Sequence, residues 1–225
     1  MKCLLCNHQL HWQPRLSQWL RWGPISEPVI CKTCQQGFHH YQPPFCPGCG
    51  RHLEGGKEYC ADCAAWRKRL GWGLTHRCLY CYDDAMKEWM HRYKFDGDYL
   101  LRRVFCGELT AAALQLGADC IVPVPVTATT MATRGFNQVT GLLNCRLSPL
   151  LVTISRGKQA QSTKNRQERL ATSQPFQLAS TTSSLAAKRV LVVDDVYTTG
   201  RTIYHAAALL RAAGAREVLG LSLAG

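Results

Sequence analysis

Val190-Leu191-Val192-Val193-Asp194-Asp195-Val196-Tyr197-Thr198-Thr199-Gly200-Arg201-Thr202 is the stretch of this 225-residue chain that decides its fold. Four consecutive apolar residues read as a strand buried on both faces. Two carboxylates follow where such a strand ends, and a small, hydroxyl-rich, glycine-containing turn leads into a helical run over residues 202–213. Gly214 follows as a C-cap, and residues 217–223 return as a second apolar strand. A strand, crossover helix and strand of this length predict a parallel pair joined with right-handed chirality. The turn also carries chemistry. A helix N-terminus presents unpaired N–H groups to a phosphate, Gly200 permits close backbone approach, and the threonine hydroxyls add donors. Asp194 and Asp195 can accept hydrogen bonds from vicinal sugar hydroxyls. A phosphate and a diol held side by side describe a ribose 5-phosphate. The competing structural reading makes the two carboxylates helix caps at a strand end; the Thr-Thr-Gly-x-Thr continuation argues against it.

Upstream, the pattern of an α/β domain persists back to about residue 71. Residues 83–94 place Met86, Trp89, Met90 and Tyr93 at i, i+3, i+4 and i+7, a single apolar helical stripe. A second helix is predicted from after Asp98 to about Gln115. Residues 119–125 read as a short buried strand that ends where Pro123 and Pro125 remove backbone donors. Residues 134–145 form a weaker helix candidate, 150–154 another apolar strand, and 155–174 a polar segment carrying Arg156, Lys158, Lys164, Arg166 and Arg169. Residues 180–184 are a polar loop.

The first 70 residues have a different character. Five C-x-x-C pairs, Cys3/Cys6, Cys31/Cys34, Cys46/Cys49, Cys60/Cys63 and Cys78/Cys81, all fall before residue 82, among turn formers that cannot build a core alone. Four thiolates in two such pairs suit tetrahedral zinc, which would hold the segment together. About two structural zinc ions are expected. Sequential pairing joins Cys46 and Cys49 to Cys60 and Cys63, and Cys3 and Cys6 to Cys31 and Cys34; an interleaved scheme would use the same eight ligands. A redox dithiol of thioredoxin type needs a strand-to-helix setting that these flanks do not offer. Cys78 and Cys81 lie in an apolar, strand-like run and read as core cysteines. His8, His11, His39 and His40 find no vacancy in a four-cysteine site and read as exposed or packed. The chain thus divides into a cysteine-rich zinc module, 1–70, and an α/β domain, 71–225.

Composition narrows the function classes. No stretch approaches the ~18 consecutive apolar residues of a membrane span, mean hydropathy is −0.16, and polar Asn7 and His8 interrupt the start before an export signal could form. Insertion in a membrane and secretion are not expected. Thirteen cysteines without such a signal suit reduced thiols in a cytoplasm. The net charge of +12, from 27 basic and 15 acidic residues, suits an anionic partner. Two zinc ions on eight thiolates would lower it to about +8. Up to Leu70 there are nine basic and four acidic residues, so most of the excess lies beyond, in the phosphate-reading half.

The thirteen residues quoted first resemble the 5-phosphoribosyl 1-pyrophosphate (PRPP) signature of type I phosphoribosyltransferases, and the chain is similar nearly end to end to the ComF competence-protein family. Three further stretches carry that resemblance: the N-terminal cysteine pairs, Pro123-Val124-Pro125 followed by Arg134-Gly135-Phe136-Asn137-Gln138, and the basic segment from Arg156 through Gln161 and Arg169 to Phe176. It implies an α/β fold with a type I phosphoribosyltransferase-like parallel sheet flanked by helices. By resemblance, Asp194 and Asp195 hold the ribose hydroxyls. Val196, Tyr197, Thr198, Thr199, Gly200 and Thr202 form the phosphate turn, and the Pro123 to Thr127 turn, with Pro125 and Val126 as its binding residues, lies near pyrophosphate and Mg²⁺. Residues 156–169 would form a loop over the site, with Arg134, Arg156 and Arg169 as catalytic candidates. Lys94-Phe95-Asp96-Gly97-Asp98 also matches a family stretch. Thr198 stands where some purine phosphoribosyltransferases place an acid or base, and a hydroxyl cannot serve as a carboxylate base. Two functions follow as expectations: phosphoribosyl transfer, amidophosphoribosyltransferase-like, linked to DNA uptake and utilisation; or a non-enzymatic uptake accessory that binds PRPP as ligand together with single-stranded DNA or a helicase partner. In the second, Trp12, Trp19, Trp22, Trp66 and Trp72 would stack on bases or form the small module's core. No G-x-x-x-x-G-K-[ST] loop is present, so the chain is not itself a transport motor.

Overall fold

A computed structural model describes residues 1–13, 27–154, 174–180 and 184–225. In chain order the elements are α1 (Lys32–Gln36), α2 (Ala61–Leu70), β1 (Thr75–Tyr80), α3 (Asp84–Lys94), a 3₁₀ turn (Tyr99–Leu101), α4 (Arg102–Gln115), β2 (Cys120–Pro123), α5 (Ala128–Arg134), α6 (Gln138–Gly141), β3 (Leu151–Thr153), β4 (Phe176–Leu178), β5 (Arg189–Val196), α7 (Arg201–Ala212) and β6 (Glu217–Ala224). Four strands form a parallel sheet in the order β1-β6-β5-β2, and β3 pairs with β4 as a separate antiparallel hairpin.

The quoted stretch occupies the sheet centre. Val190 to Val193 are fully buried, as a parallel strand covered on both faces must be. Asp194 and Asp195 belong to β5 itself, which runs three residues further than its apolar run predicts. Asp194 stands opposite Ser222 and Val196 opposite Ala224 of β6. Helix α7 packs on β5 and β6, and α4 on β6.

Helix α3 forms for the reasons its sequence states. Asp83 caps it by accepting a hydrogen bond from the Met86 N–H at 3.0 Å, and Met86, Trp89, Met90 and Tyr93 are all buried. The helix predicted over residues 134–145 is not formed as one element. Thr127 caps α5 from its start, Gly135 ends it at φ +82°, a left-handed conformation that favours glycine, and Asn137 then caps the short α6. β1, from the apolar run around Cys78, is an edge strand beside β6. Its free edge is partly covered by a His40–Tyr80 bridge and by the Cys81 N–H donating to the His39 carbonyl at 2.7 Å.

Packing crosses the compositional division at residue 70. Phe38, Cys46, Cys49, Leu53 and Cys63 belong to one apolar cluster with the sheet. Buried His76 ties the two parts together. Its Nδ1–H donates to the Cys49 carbonyl at 3.2 Å, so its Nε2 is free to accept from the Ser222 hydroxyl at 3.0 Å. Burial holds His76 down at about 3, and the neutral ring fits that pair of contacts. No helix among the described residues is long and apolar enough to cross a membrane.

Candidate functional site

β5 and β2 lie side by side and parallel, so their carboxyl ends open on the same edge of the sheet, where α/β folds bind ligands. A cleft of about 740 Å³ lies there. Its floor is Asp194, Asp195 and Val196 at the end of β5, with Arg201 and Thr202 from the start of α7. Val124, Pro125, Val126, Thr127 and Thr130 line one side, and Thr153, Ile154, Pro175 and Phe176 of the β3–β4 hairpin line another. Lys94, Arg134 and Gln138 complete it.

The two carboxylates differ in state. Lys94 Nζ forms an ion pair with Asp195 Oδ2, and Gln138 Nε2 donates to Asp195 Oδ1 at 3.1 Å. Arg134 sits behind both partners: its Nε donates to the Lys94 carbonyl at 3.0 Å, and its Nη1 donates to Gln138 Oε1. Burial by itself raises the Asp195 carboxyl, but the Lys94 ammonium together with hydrogen bonds from Asp194 and Gln138 offsets it and holds the group below the usual carboxylate range. Among the described residues Asp194 forms no such ion pair. Burial, with the neighbouring Asp195 charge, pushes it well above that range, and its Oδ1 accepts the Asp195 N–H at 2.9 Å. The cleft floor therefore combines one carboxyl held below the usual range and one pushed above it.

The turn after β5 is held from below. Tyr197 is buried, with its hydroxyl 3.9 Å from Cys63 Sγ, and its ring lies beside His76 and Arg51 rather than in the cleft. Thr198 and Thr199 are exposed. Gly200, at φ +77°, is the N-cap of α7 and supplies no side chain to its first N–H groups, which leaves those donors for an outside acceptor. A Cβ at Gly200 would collide with the Tyr197 hydroxyl.

Among the described residues two groups of four cysteines gather, Cys3/Cys6/Cys31/Cys34 and Cys46/Cys49/Cys60/Cys63, each with all sulfurs within 4.8 Å of one another. The sequential pairing is the one the structure assembles. Tetrahedral zinc with bonds of about 2.3 Å requires sulfurs about 3.8 Å apart; Cys6 and Cys31 stand at 3.7 Å, as do Cys49 and Cys60. Backbone N–H groups also point at the sulfurs: Cys31 N to Cys3 at 3.2 Å, Cys34 N to Cys31 at 3.4 Å and Cys60 N to Cys46 at 3.4 Å. Arg51 approaches Cys49 at 3.5 Å and Cys60 at 4.0 Å while pairing with Asp62. Contacts with Cys63 and Arg51 hold the Cys49 thiol down at about 4, the thiolate form a metal takes. Both groups could hold zinc. Cys78 and Cys81 join neither.

The family model described as phosphoribosyl transferase domain matches residues 108–221. A curated relative, competence protein ComFC of Streptococcus pneumoniae, is 38% identical over 224 residues, covering 99% of both chains. This chain belongs to the ComF competence-protein family. ComFC of Bacillus subtilis is 30% identical across 92% of this chain and 88% of its own, and competence protein F of Haemophilus influenzae 27% identical across 96% and 93%. The phosphoribosyl transferase match begins inside α4, so both cysteine groups lie outside it. The Streptococcus relative, matched over 99% of this chain, spans them.

Of the residues singled out by motif, Asp194, Asp195, Val196, Thr202, Pro125, Val126 and Arg134 line the cleft together. Tyr197, Thr198, Thr199 and Gly200 shape the turn beside it without lining it. Arg156 and Arg169, with the rest of 155–173, lie outside the described residues, as do Trp19 and Trp22. Trp66 and Trp72 pack against Tyr204. The motif reading passed over three contributors: Lys94 as counter-ion, Gln138 as donor and the hairpin as wall. The ComF-like Lys94-Phe95-Asp96-Gly97-Asp98 stretch was the available signal for Lys94; the apolar run over 150–154 signals one strand of the hairpin but not its place at the cleft.

Proposed function

We propose that this protein binds PRPP in the cleft and transfers its phosphoribosyl group to a nitrogen acceptor, in support of DNA uptake and utilisation. The observation that carries the reading is the pair Asp194/Asp195 near the end of β5, separated by four residues from the glycine cap of a helix whose first N–H groups lack a side-chain cap. Those N–H groups and Thr202 take the 5-phosphate, and the carboxylates take the ribose hydroxyls. Asp195 already accepts from Lys94 and Gln138, and its remaining lone pairs suffice for one hydroxyl. Pyrophosphate lies toward Pro125 and Val126, where Arg134 offsets its charge. Mg²⁺ accompanying PRPP would supply further neutralisation of the leaving group. In the transfer an acceptor nitrogen bonds to C1 of ribose as the bond to pyrophosphate oxygen breaks, and the departing pyrophosphate carries the electron pair.

One observation favours a second reading, PRPP as ligand or signal without turnover. Asp194 and Asp195 are the only carboxylates among the described cleft-lining residues, and both are committed to the ribose. In that reading the protein is an uptake accessory that engages single-stranded DNA or a helicase partner. Calorimetry with PRPP and Mg²⁺ tests the shared element. Tight binding by the wild type and its loss in the Asp194→Ala, Asp195→Ala variant are expected; equal behaviour of the two proteins would sink both readings. Pyrophosphate release across a panel of bases and amines then separates them, and silence throughout with salt-sensitive DNA binding selects the accessory.

A further inference from the structure

The turn that follows β5 is anchored on the cysteine-rich region at two points. Trp66 Nε1–H donates to the Thr199 carbonyl at 2.7 Å, and the Tyr197 hydroxyl, which fills the space under Gly200, lies 3.9 Å from Cys63 Sγ. Trp66 is itself fixed: its ring stacks on Tyr204 of α7 with centroids 4.6 Å apart and planes at 9°. It also follows Cys63 by one helical turn on α2, and Cys60 is the N-cap of that helix. Residues three apart share a helix face, so two sulfurs of the second tetrad and the indole that holds the turn project from one side of a ten-residue helix.

The backbone geometry gives this contact a consequence. In a trans peptide the C=O and N–H of one unit point in opposite directions. With the Thr199 carbonyl aimed at Trp66, the N–H of Gly200 is turned away from α2. We propose that Trp66 is a positioning residue of the phosphate turn, and that metal in the Cys46/Cys49/Cys60/Cys63 tetrad and anion binding at the turn are linked through it. Metal fixes the start of α2, α2 fixes Trp66, and Trp66 sets the Thr199–Gly200 peptide with its N–H outward. Linkage is reciprocal, so a bound phosphoribosyl ligand must hold metal in this tetrad more firmly. The Cys3/Cys6/Cys31/Cys34 group reaches the rest of the fold elsewhere, through Arg92 donating to the Leu4 and Leu5 carbonyls at 3.0 and 3.2 Å, and takes no part. This inference rests on the reading that the turn binds the 5-phosphate.

The test uses the full zinc-loaded chain, PRPP with Mg²⁺ as the probe, and zinc transfer to a colorimetric chelator as the readout. Two release phases are expected, one per tetrad, and saturating PRPP slows only the phase of the second tetrad, assigned by its loss in Cys60→Ser. Trp66→Phe keeps the stacked ring but removes the donor; it binds PRPP several-fold to about tenfold more weakly, the worth of one hydrogen bond, with zinc content unchanged. In that variant PRPP no longer slows the second phase selectively, an effect that loss of general stability does not produce. Equal slowing of both phases, or none, overturns the linkage, and the wild-type measurement decides this even if Trp66→Phe does not fold. If PRPP binding depends on Asp194 and Asp195 but neither Trp66→Phe nor zinc release responds, the inference falls and the proposed function stands. If the wild type does not bind PRPP at all, both fall.

Discussion

Asp194 and Asp195 are neighbours in sequence and almost equally buried, at 6% and 5% exposure, yet their environments push them apart. Removing the charge of Asp195 strands the Lys94 ammonium, whose side chain is only 15% exposed. Asp195→Asn is expected to cost about 3 kcal/mol in urea unfolding, the loss typical when one partner of a buried pair is removed. The double variant Asp195→Asn, Lys94→Met should lie closer to wild type than the sum of the singles, because no charge is then left unpaired. Asp194 behaves oppositely. Its folded value lies above its unfolded one, so between the two the native state binds more protons and stability falls as pH rises. Asp194→Asn mimics the protonated form and should gain on the wild type as pH climbs from about 4, reaching a plateau above the folded value. Paired melting curves across pH check this, since zinc loss in acid is common to both proteins and cancels.

The stretch Arg134-Gly135-Phe136-Asn137-Gln138 shows how an element boundary is made from a motif. Gly135 ends α5, Phe136 packs between Tyr93 and Tyr99, and Asn137 begins α6 by accepting from the Val139 and Thr140 N–H groups at 2.7 and 3.3 Å. Its Nδ2 also donates to the Val124 carbonyl at 3.0 Å, which secures the proline turn that lines the cleft. Only Arg134 and Gln138 reach the carboxylate network. Read from sequence, the five residues form a functional motif inside one helix. In the fold, three of them break that helix so that the other two can converge on Asp195 and Lys94. Asn137→Ala should lose about 2 kcal/mol, the value of a cap plus one further hydrogen bond, seen as a lower urea midpoint at unchanged slope. Leu191→Ala, in the centre of β5 and fully buried, should lose about 3 kcal/mol.

Across the whole molecule, the two tetrads differ in what they support. Metal analysis should return about two zinc ions per chain; none would refute the zinc reading. Cys6 is exposed and Cys49 fully buried. The second tetrad touches the sheet through His76 and Tyr197, whereas the first is joined by Leu4, Leu5 and Arg92. Cys6→Ser should therefore lose one zinc with little change in melting temperature, and Cys49→Ser one zinc with a fall of about 6–12 °C, as expected for about 3 kcal/mol in a chain of this size. Thermal melts beside metal content distinguish the two.

Local periodicity and ligand spacing were enough for the β5-α7-β6 unit, the buried stripe of α3 and the sequential cysteine pairs, because each depends on residues a few positions apart. They were not enough for contacts set by the strand order β1-β6-β5-β2. That order brings Lys94 to Asp195 across 101 positions and Trp66 to Thr199 across 133. It pushes the two aspartates' proton affinities in opposite directions, although both are the same residue type in the same strand. Residues 1–70 have a metal-site composition, and only the tertiary structure places α2 and the second tetrad beside the phosphate turn. The reason is physical: a cysteine-rich segment with too little apolar surface for its own core buries what it has, Phe38, Leu53 and Cys63, on the sheet beside it.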